Sequence, residues 1–280
     1  MRTAVIYGST GTGKDVYAQI KDKYDVLYFV DENPQRVGEK NWSLDIYPPE
    51  KILENRPDTV IMGMLTGYDE AVQYLIRNGV DEGSIIGSYV DLPIRARRDC
   101  IEKISMLFEQ KGIYEGDVAE LGVYRGDFAK EINRVFPDRK LYLFDTFEGF
   151  PDNDLNYEME HDLINREIGR LSNTSVDYVI AKMPNPAQCV IRQGYFPDTA
   201  KGLEDNRYAF VNIDVDLYKP IKAGLEYFWP RMVENGYIFV HDYFSNSYAG
   251  SRKAIDEFAK EKGLGFIPIG DTLSVAFVKV

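Results

Sequence analysis

One pattern constrains this chain more than any other, and it occurs twice. A short apolar run ends at a glycine-containing turn, and a helical segment follows. The first copy is Thr3 to Tyr7, the turn from Gly8, and a helical stretch from about Lys14 to Lys21. The second is Asp117 to Leu121, the turn Gly122 to Gly126, and a helix to about Phe136. Glycine in such a turn lets backbone approach backbone where a side chain would block it. More apolar runs alternate with helical segments after each copy. They are Asp25 to Val30, Thr59 to Met62 and Ser84 to Ile86 in the first part of the chain. In the second they are Leu141 to Phe144, Gln188 to Arg192, Ala209 to Ile213 and Tyr237 to Val240. Strands alternating with helices are βαβ units, which build parallel sheets.

The chain therefore reads as α/β, with two Rossmann-like units. The first occupies residues 1–92 and the second 113–280. Leu92-Pro93-Ile94-Arg95 reads as a connector, followed by a helix from about Asp99 to Lys111. Ile101, Ile104, Leu107 and Phe108 lie on one face of that helix. Residues 93–112 are thus a linker with a connecting helix. The stretch 150–175 is rich in Asp, Asn and Glu and reads as an insertion or lid. Two final runs, Gly265 to Ile269 and Ser274 to Val280, imply a closing antiparallel strand after a tight turn at Gly270-Asp271.

Charge excludes one class of partner. With 33 Lys and Arg against 45 Asp and Glu, the net charge is −12. Such a chain repels nucleic-acid phosphates unless it has a basic patch. Arg95, Arg97 and Arg98 form the one dense basic run, too short for that role, and read as a solvated linker. No run approaches the length of a membrane span, and the N-terminus has no secretory pattern, so the expectation is a cytoplasmic chain without membrane insertion. Cys100 and Cys189 have no CxxC partner and read as small buried hydrophobes.

The two glycine turns differ in what they can hold. Gly8, Gly11 and Gly13 sit where a Rossmann unit cradles phosphate. The spacing GxxxxGK is met from Gly8 to Lys14, but Asp15 stands where Ser or Thr would hold Mg²⁺. The plain reading is a turn that packs helix on strand; nucleotide or sugar-nucleotide binding is the other. Tyr17-x-x-x-Lys21 has the Tyr/Lys spacing of some NAD-dependent sugar-nucleotide enzymes, but lies on the first helix beside the turn and reads as helix surface. In the second turn, Glu120, Gly122 and Gly126 make ExGxxxG, with Asp145 ending the next strand. A carboxylate there accepts hydrogen bonds from ribose hydroxyls, and the turn lacks a pyrophosphate cradle. That is the pattern of S-adenosylmethionine (SAM) methyltransferases; tight packing with an exposed Asp145 is the plain alternative.

A carboxylate group follows. Asp214-Val-Asp216-Leu-Tyr218 and His241-Asp242-Tyr243 each come directly after an apolar strand. Strand C-termini are the ligand edge of open α/β sheets. If the two strands are neighbours, Asp214, His241 and Asp242 meet, as ligands for Mg²⁺ or Mn²⁺ or as a general base. Asp214, Asp216 and Asp242 as helix caps are the plain alternative. Tyr218 and Tyr243 are candidates to stack on a sugar ring.

From Glu120 to about Phe258 the chain resembles the macrocin O-methyltransferase family of SAM-dependent sugar O-methyltransferases. The stretches are AELGVYRGDFAKEI, LYLFDTFEGFP, QGYFPDTA, VNIDVDLYKPIKAGLEYFWPRMVENGYIFVHDYFS and GSRKAIDEF, in the family's order. The resemblance implies a SAM-methyltransferase sheet, methyl transfer to a sugar hydroxyl, SAM, and a divalent metal. It implies a SAM loop of Glu120, Gly122 and Gly126, ribose contacts from Asp145 with Thr146 and Phe147 beside it, and Tyr195-Phe196 towards the adenine or acceptor. It implies Asp214 as metal ligand and candidate base and Asp242 as a second ligand. Relatives suggest a homo-oligomer. His241 departs from the family, which commonly has an acidic residue there; imidazole suits Mn²⁺, Fe²⁺ or Zn²⁺ better than Mg²⁺. Residues 1–92 resemble the small N-terminal domain of sugar-modifying acetyltransferases, through IYGSTGTGKDVYAQI, YFVDENPQRVGEK, IYPPEKI and DTVIMGM. This implies a sugar-nucleotide site or a scaffold. Two competing readings are a methyltransferase-like protein that binds SAM or a sugar nucleotide without catalysis, and an NAD-dependent sugar-nucleotide enzyme.

Overall fold

The computed structural model describes residues 1–164 and 171–280, with the side chains of all but 91–95 among them. Two compact units divide the chain, Met1–Arg95 and Ala96–Val280. The α/β expectation holds in both: each is built on a mostly parallel sheet.

The first unit contains β1 (Arg2–Tyr7), α1 (Gly11–Ile20), β2 (Tyr24–Val30), β3 (Lys40–Asn41), β4 (Leu44–Tyr47), α2 (Lys51–Glu54), β5 (Thr59–Met62), α3 (Tyr68–Arg77) and β6 (Ile85–Ile86). Its sheet runs β3-β4-β2-β1-β5-β6, with only β3 antiparallel to its neighbour. β5 is buried at every position, the signature of a strand covered on both faces. The turn after β1 is a packing device. Gly8 has φ +109°, and a Cβ on Gly13 would overlap the Gly8 carbonyl oxygen. Asp31, at the end of β2, accepts from Ser9 N at 3.0 Å, Ser9 Oγ at 2.5 Å and Asn33 N at 2.9 Å. Its carboxylate is thereby committed to holding the turn. Tyr17 packs against Trp42 with tilted rings whose centroids are 4.8 Å apart, and Lys21 caps the end of α1.

α4 (Asp91–Lys111) begins earlier than its sequence suggests, and the connector expected at Leu92–Arg95 is its first turn. Pro93 does not stop the helix, because the first-turn amides have no intrahelical acceptor to lose. The second unit continues with β7 (Asp117–Leu121), α5 (Asp127–Val135), β8 (Leu141–Asp145), α6 (Asp152–Glu160), α7 (Val176–Lys182), β9 (Cys189–Gln193) and β10 (Tyr208–Ile213). Then come α8 (Tyr218–Phe228), β11 (Met232–Val240), α9 (Ala249–Lys262), β12 (Ile267–Pro268) and β13 (Val275–Val278). The order is β12-β13-β11-β10-β7-β8-β9, with β13 antiparallel to β11 and β12 and the five strands from β11 to β9 mutually parallel. The closing antiparallel strand is present. The tight turn at Gly270-Asp271 is not: Ile269 N bonds Ser274 O, so four residues make the bend. Asp271, buried, organises it by accepting from Ser274 N at 2.8 Å. Two apolar layers flank the sheet, one built on Phe144, Leu225 and Phe258 and the other on Ile101, Ile132 and Val179.

The expected lid at 150–175 is in part a packed helix. Asp154 and Glu158 of α6 are buried, and Glu158 Oε1 accepts from Tyr218 N at 2.6 Å, capping α8. Residues 165–170 of that stretch lie outside the described residues. Among the described residues, no helix is long and apolar enough to cross a membrane. Cys100 and Cys189 are half-buried, and burial pushes the Cys189 thiol up to about 11.

Close packing at the first turn makes a prediction. Gly13→Ala in the full chain lowers the unfolding free energy by about 1–3 kcal/mol, read by urea titration. Gly265→Ala, where an added Cβ meets nothing within 4 Å, changes it by less than about 0.5 kcal/mol. Equal stability for both variants refutes the packing role of Gly13.

Candidate active site

Strand register assembles the site. Leu121 pairs with Phe144 on one side and Ile213 on the other, and Ile213 pairs with Val240. The next residue on each strand is then Gly122, Asp145, Asp214 or His241, side by side along one sheet edge. β7 is the switch point: the chain goes one way to β8 and β9 and the other way to β10 and β11. A crevice opens there, where open α/β sheets take ligands.

Four residues with left-handed backbone rim this edge: Tyr124 (φ 47°), Phe147 (57°), Asp216 (60°) and Asp242 (61°). Strained non-glycine conformations of this kind collect at functional sites. Gly122 (φ +87°) is required, because a Cβ would overlap the carbonyl oxygen of Asp214. Asp145 Oδ2 accepts from Val123 N at 2.7 Å and Tyr124 N at 2.8 Å, and its Oδ1 from Phe147 N at 2.7 Å. The carboxylate pins the glycine turn and keeps one accepting position on Oδ1 for a ligand. Thr146 Oγ1 donates to Gly149 O at 2.9 Å, bracing the segment after Asp145.

The pocket above is lined by Gly122, Asp145, Thr146, Tyr195, Phe196 and Asp214, among others. Glu120, Gly126 and Phe147 stand behind it. Glu120 is 2 % exposed, and its Oε1 accepts from Asn212 Nδ2 at 2.8 Å, its register partner on β10. Burial and then the charge of Asp214 push its carboxyl well up. Gly126 precedes α5 with φ +75°, and Phe147 is packed in the core. Tyr218 and Tyr243 are engaged elsewhere: Tyr218 donates to Glu257 at 2.6 Å and stacks on Tyr157, and Tyr243 donates to Asp256 at 2.9 Å.

Asp214, His241 and Asp242 meet. His241 Nδ1 lies 3.1 Å from Asp214 Oδ1 and 2.9 Å from Asp242 Oδ2, and one donor atom from each residue lies within 4.8 Å of the others. Burial lowers the imidazole pKa, but the charges of Asp214 and Asp242 outweigh it and raise it well above the usual value. Burial would raise Asp214; His241 and Arg97 hold it well below the carboxylate range. Asp216 is pushed up by burial and by the charge of Asp242.

Arg97 is a residue the sequence reading missed. Its Nη1 lies 3.1 Å from Asp214 Oδ2, its Nε 3.6 Å from Asp271, and its guanidinium 4.5 Å from the Phe128 ring. The basic run had read as a solvated linker. The signal was its spacing: positions 97, 101, 104 and 108 form one helical stripe. An arginine on an otherwise apolar stripe needs a buried anion.

Two curated relatives match part of the chain. One is an 8-demethyl-8-(2,3-dimethoxy-α-L-rhamnosyl)-tetracenomycin-C 4′-O-methyltransferase of Streptomyces olivaceus, 26% identical over 53% of this chain and 60% of the relative. The other is a mycinamicin III 3″-O-methyltransferase of Micromonospora griseorubida, 28% identical over 53% of this chain and 62% of the relative. The chain thus spans about three fifths of the length of these relatives. The solved structure of the O-methyltransferase NovP shares the fold, with a TM-score of 0.54 and 23% identity over 66% of this chain and 80% of that one. The family model described as macrocin O-methyltransferase (TylF) matches residues 93–276, a span that holds Arg97, the glycine turn, Asp145 and the Asp214–His241–Asp242 group together. By that match, the chain belongs to the TylF macrocin O-methyltransferase family.

Proposed function

We propose that this chain transfers a methyl group from SAM to a hydroxyl of a sugar-containing small molecule. The observation that carries the reading is the shared edge: a nucleoside-type pocket at Gly122 and Asp145 is lined by Asp214, the residue on which His241 and Asp242 converge. The family and the sugar O-methyltransferase relatives support the same chemistry.

SAM supplies a methyl group on a sulfonium that is already a good electrophile. The chain's part is to position, desolvate and deprotonate. Gly122 gives the cofactor close access to backbone, and Asp145 Oδ1 accepts from a ribose hydroxyl. Asp214 is the carboxylate that both lines the pocket and touches His241. It orients the acceptor hydroxyl in line with the methyl group and accepts its proton as the C–O bond forms and the S–C bond breaks. Arg97 and His241 clamp the two Asp214 oxygens, so the carboxylate keeps one orientation.

The donor set fits a divalent ion. One ligand atom from each of Asp214, His241 and Asp242 lies within 4.8 Å of the others, a carboxylate and imidazole set that divalent ions take. Asp214, His241 and Asp242 would hold it, and the imidazole nitrogen favours Mn²⁺ over Mg²⁺. Bound there, such an ion would lower the pKa of the acceptor hydroxyl enough for a base as weak as Asp214.

Two measurements test the reading. Calorimetry with S-adenosylhomocysteine gives micromolar binding to the wild type, weakened about 10- to 100-fold by Asp145→Ala, which removes a charged acceptor; an unchanged affinity refutes the role of Asp145. Calorimetry with Mn²⁺ and Mg²⁺ gives tighter Mn²⁺ binding, lost in Asp214→Ala. His241→Glu narrows the preference for Mn²⁺ by roughly tenfold. Absence of binding by either ion refutes the metal site and leaves the cofactor pocket standing.

A further inference from the structure

Among the described residues of the second unit, three buried carboxylates carry an oxygen without a hydrogen-bond partner: Glu120, Asp154 and Glu158. Two are accounted for by their surroundings. Glu120 is bonded to Asn212 behind the pocket, and Glu158 caps α8 with its second oxygen pressed against Gly250. Asp154 differs. It is 2 % exposed, it lines the pocket, and its Oδ2 has no partner. Its Oδ1 accepts from Tyr195 Oη at 3.1 Å, so the carboxylate is held in one orientation. A buried acceptor without a donor, on a side chain that lines a pocket, calls for a donor on the ligand.

Its place along the sheet edge identifies that donor. The strand ends run Asp214 after β10, Gly122 after β7, Asp145 on β8 and Gly194-Tyr195 after β9. At about 4.8 Å per strand, this edge is roughly 14 Å long. Methyl transfer is assigned to the Asp214 end and ribose to Asp145. The next station outwards, at Tyr195 and Asp154, falls to the nucleobase. Around it the pocket is apolar, with Phe144, Phe150, Pro151 and Phe196. Adenine presents a flat apolar ring and, on its Watson–Crick edge, one donor group, the 6-amino group.

We propose that Asp154 selects the adenine base of the cofactor by accepting a hydrogen bond from its 6-amino group, with Tyr195 as the positioning residue. The assignment rests on the SAM reading above. It draws on α6, an element outside the ExGxxxG turn and the strand-end carboxylates that suggested a cofactor.

The test compares S-adenosylhomocysteine with S-inosylhomocysteine, which carries an oxygen in place of the amino group. Calorimetry on the wild type gives binding of the adenosyl compound at least tenfold tighter than of the inosyl compound, since a carbonyl oxygen facing a buried carboxylate is repelled. Asp154→Asn, which can donate to that oxygen, cuts the ratio by at least tenfold. Tyr195→Phe, which keeps Asp154 but frees its Oδ1, lowers the ratio less. Thermal melting establishes that each variant is folded, and Tyr195→Phe carries the test if Asp154→Asn is not. A ratio unchanged in the folded variants, with the adenosyl compound still bound, overturns the Asp154 assignment and leaves the SAM reading intact. A wild type that binds neither compound overturns both.

Discussion

The second unit depends on one close approach, between the backbone of Gly122 and the carbonyl of Asp214. Three hydrogen bonds lock that edge: Gly122 N to Phe144 O at 2.9 Å, Asp214 N to Leu121 O at 2.8 Å, and His241 N to Ile213 O at 2.9 Å. They fix four strand ends in one row, and each following residue leaves the sheet at the same height. With any side chain at position 122, the turn after β7 and the carbonyl of Asp214 cannot share the space. Pocket and carboxylate group would then part.

Charge compensation is the second constraint. Asp214, Asp216 and Asp242 converge on a sheltered edge, where bare anions would be costly. The fold answers with two basic groups. Arg97 lies on Asp214 and His241 sits between Asp214 and Asp242, while burial and the charge of Asp242 push the Asp216 carboxyl up. Asp271 anchors Arg97 from the far side, so the bend before β13 contributes to the site without lining the pocket. The same logic isolates Asp154. It lines the pocket with a hydroxyl on one oxygen and no hydrogen-bond partner on the other.

The two units use one device for different ends. In both, a carboxylate at the end of the second strand ties down the turn after the first. Asp31 spends its oxygens on Ser9 and Asn33. Asp145 takes three backbone amides and retains an accepting position over an open pocket. Gly8 and Gly13 are required by close packing of turn on helix, whereas Gly122 also lines a cavity. Similar sequence patterns thus mark two turns tied down in different ways, by a side-chain hydroxyl and amides in the first and by backbone amides in the second.

What the sequence determined by itself is whatever depends on local pattern. Apolar runs broken by glycine turns set the strands and helices. Asp145, Asp214, His241 and Asp242 were legible because each directly follows such a run, and strand ends are where parallel sheets gather their ligands. The family resemblance reached the same residues through longer stretches of text. Tertiary structure alone decided which residues meet across the chain. Arg97 reaches Asp214 over a separation of 117 residues, and a basic run read in one dimension looks solvated. Glu120, Gly126 and Phe147 belong to the motif, yet do not line the pocket: Glu120 is drawn to Asn212 on the neighbouring strand, Phe147 packs into the core, and Gly126 precedes α5. Asp154 lies in a polar stretch that reads as surface. Only the docking of α6 against α8 buries it, and an unpaired oxygen is visible only when every neighbour is in place.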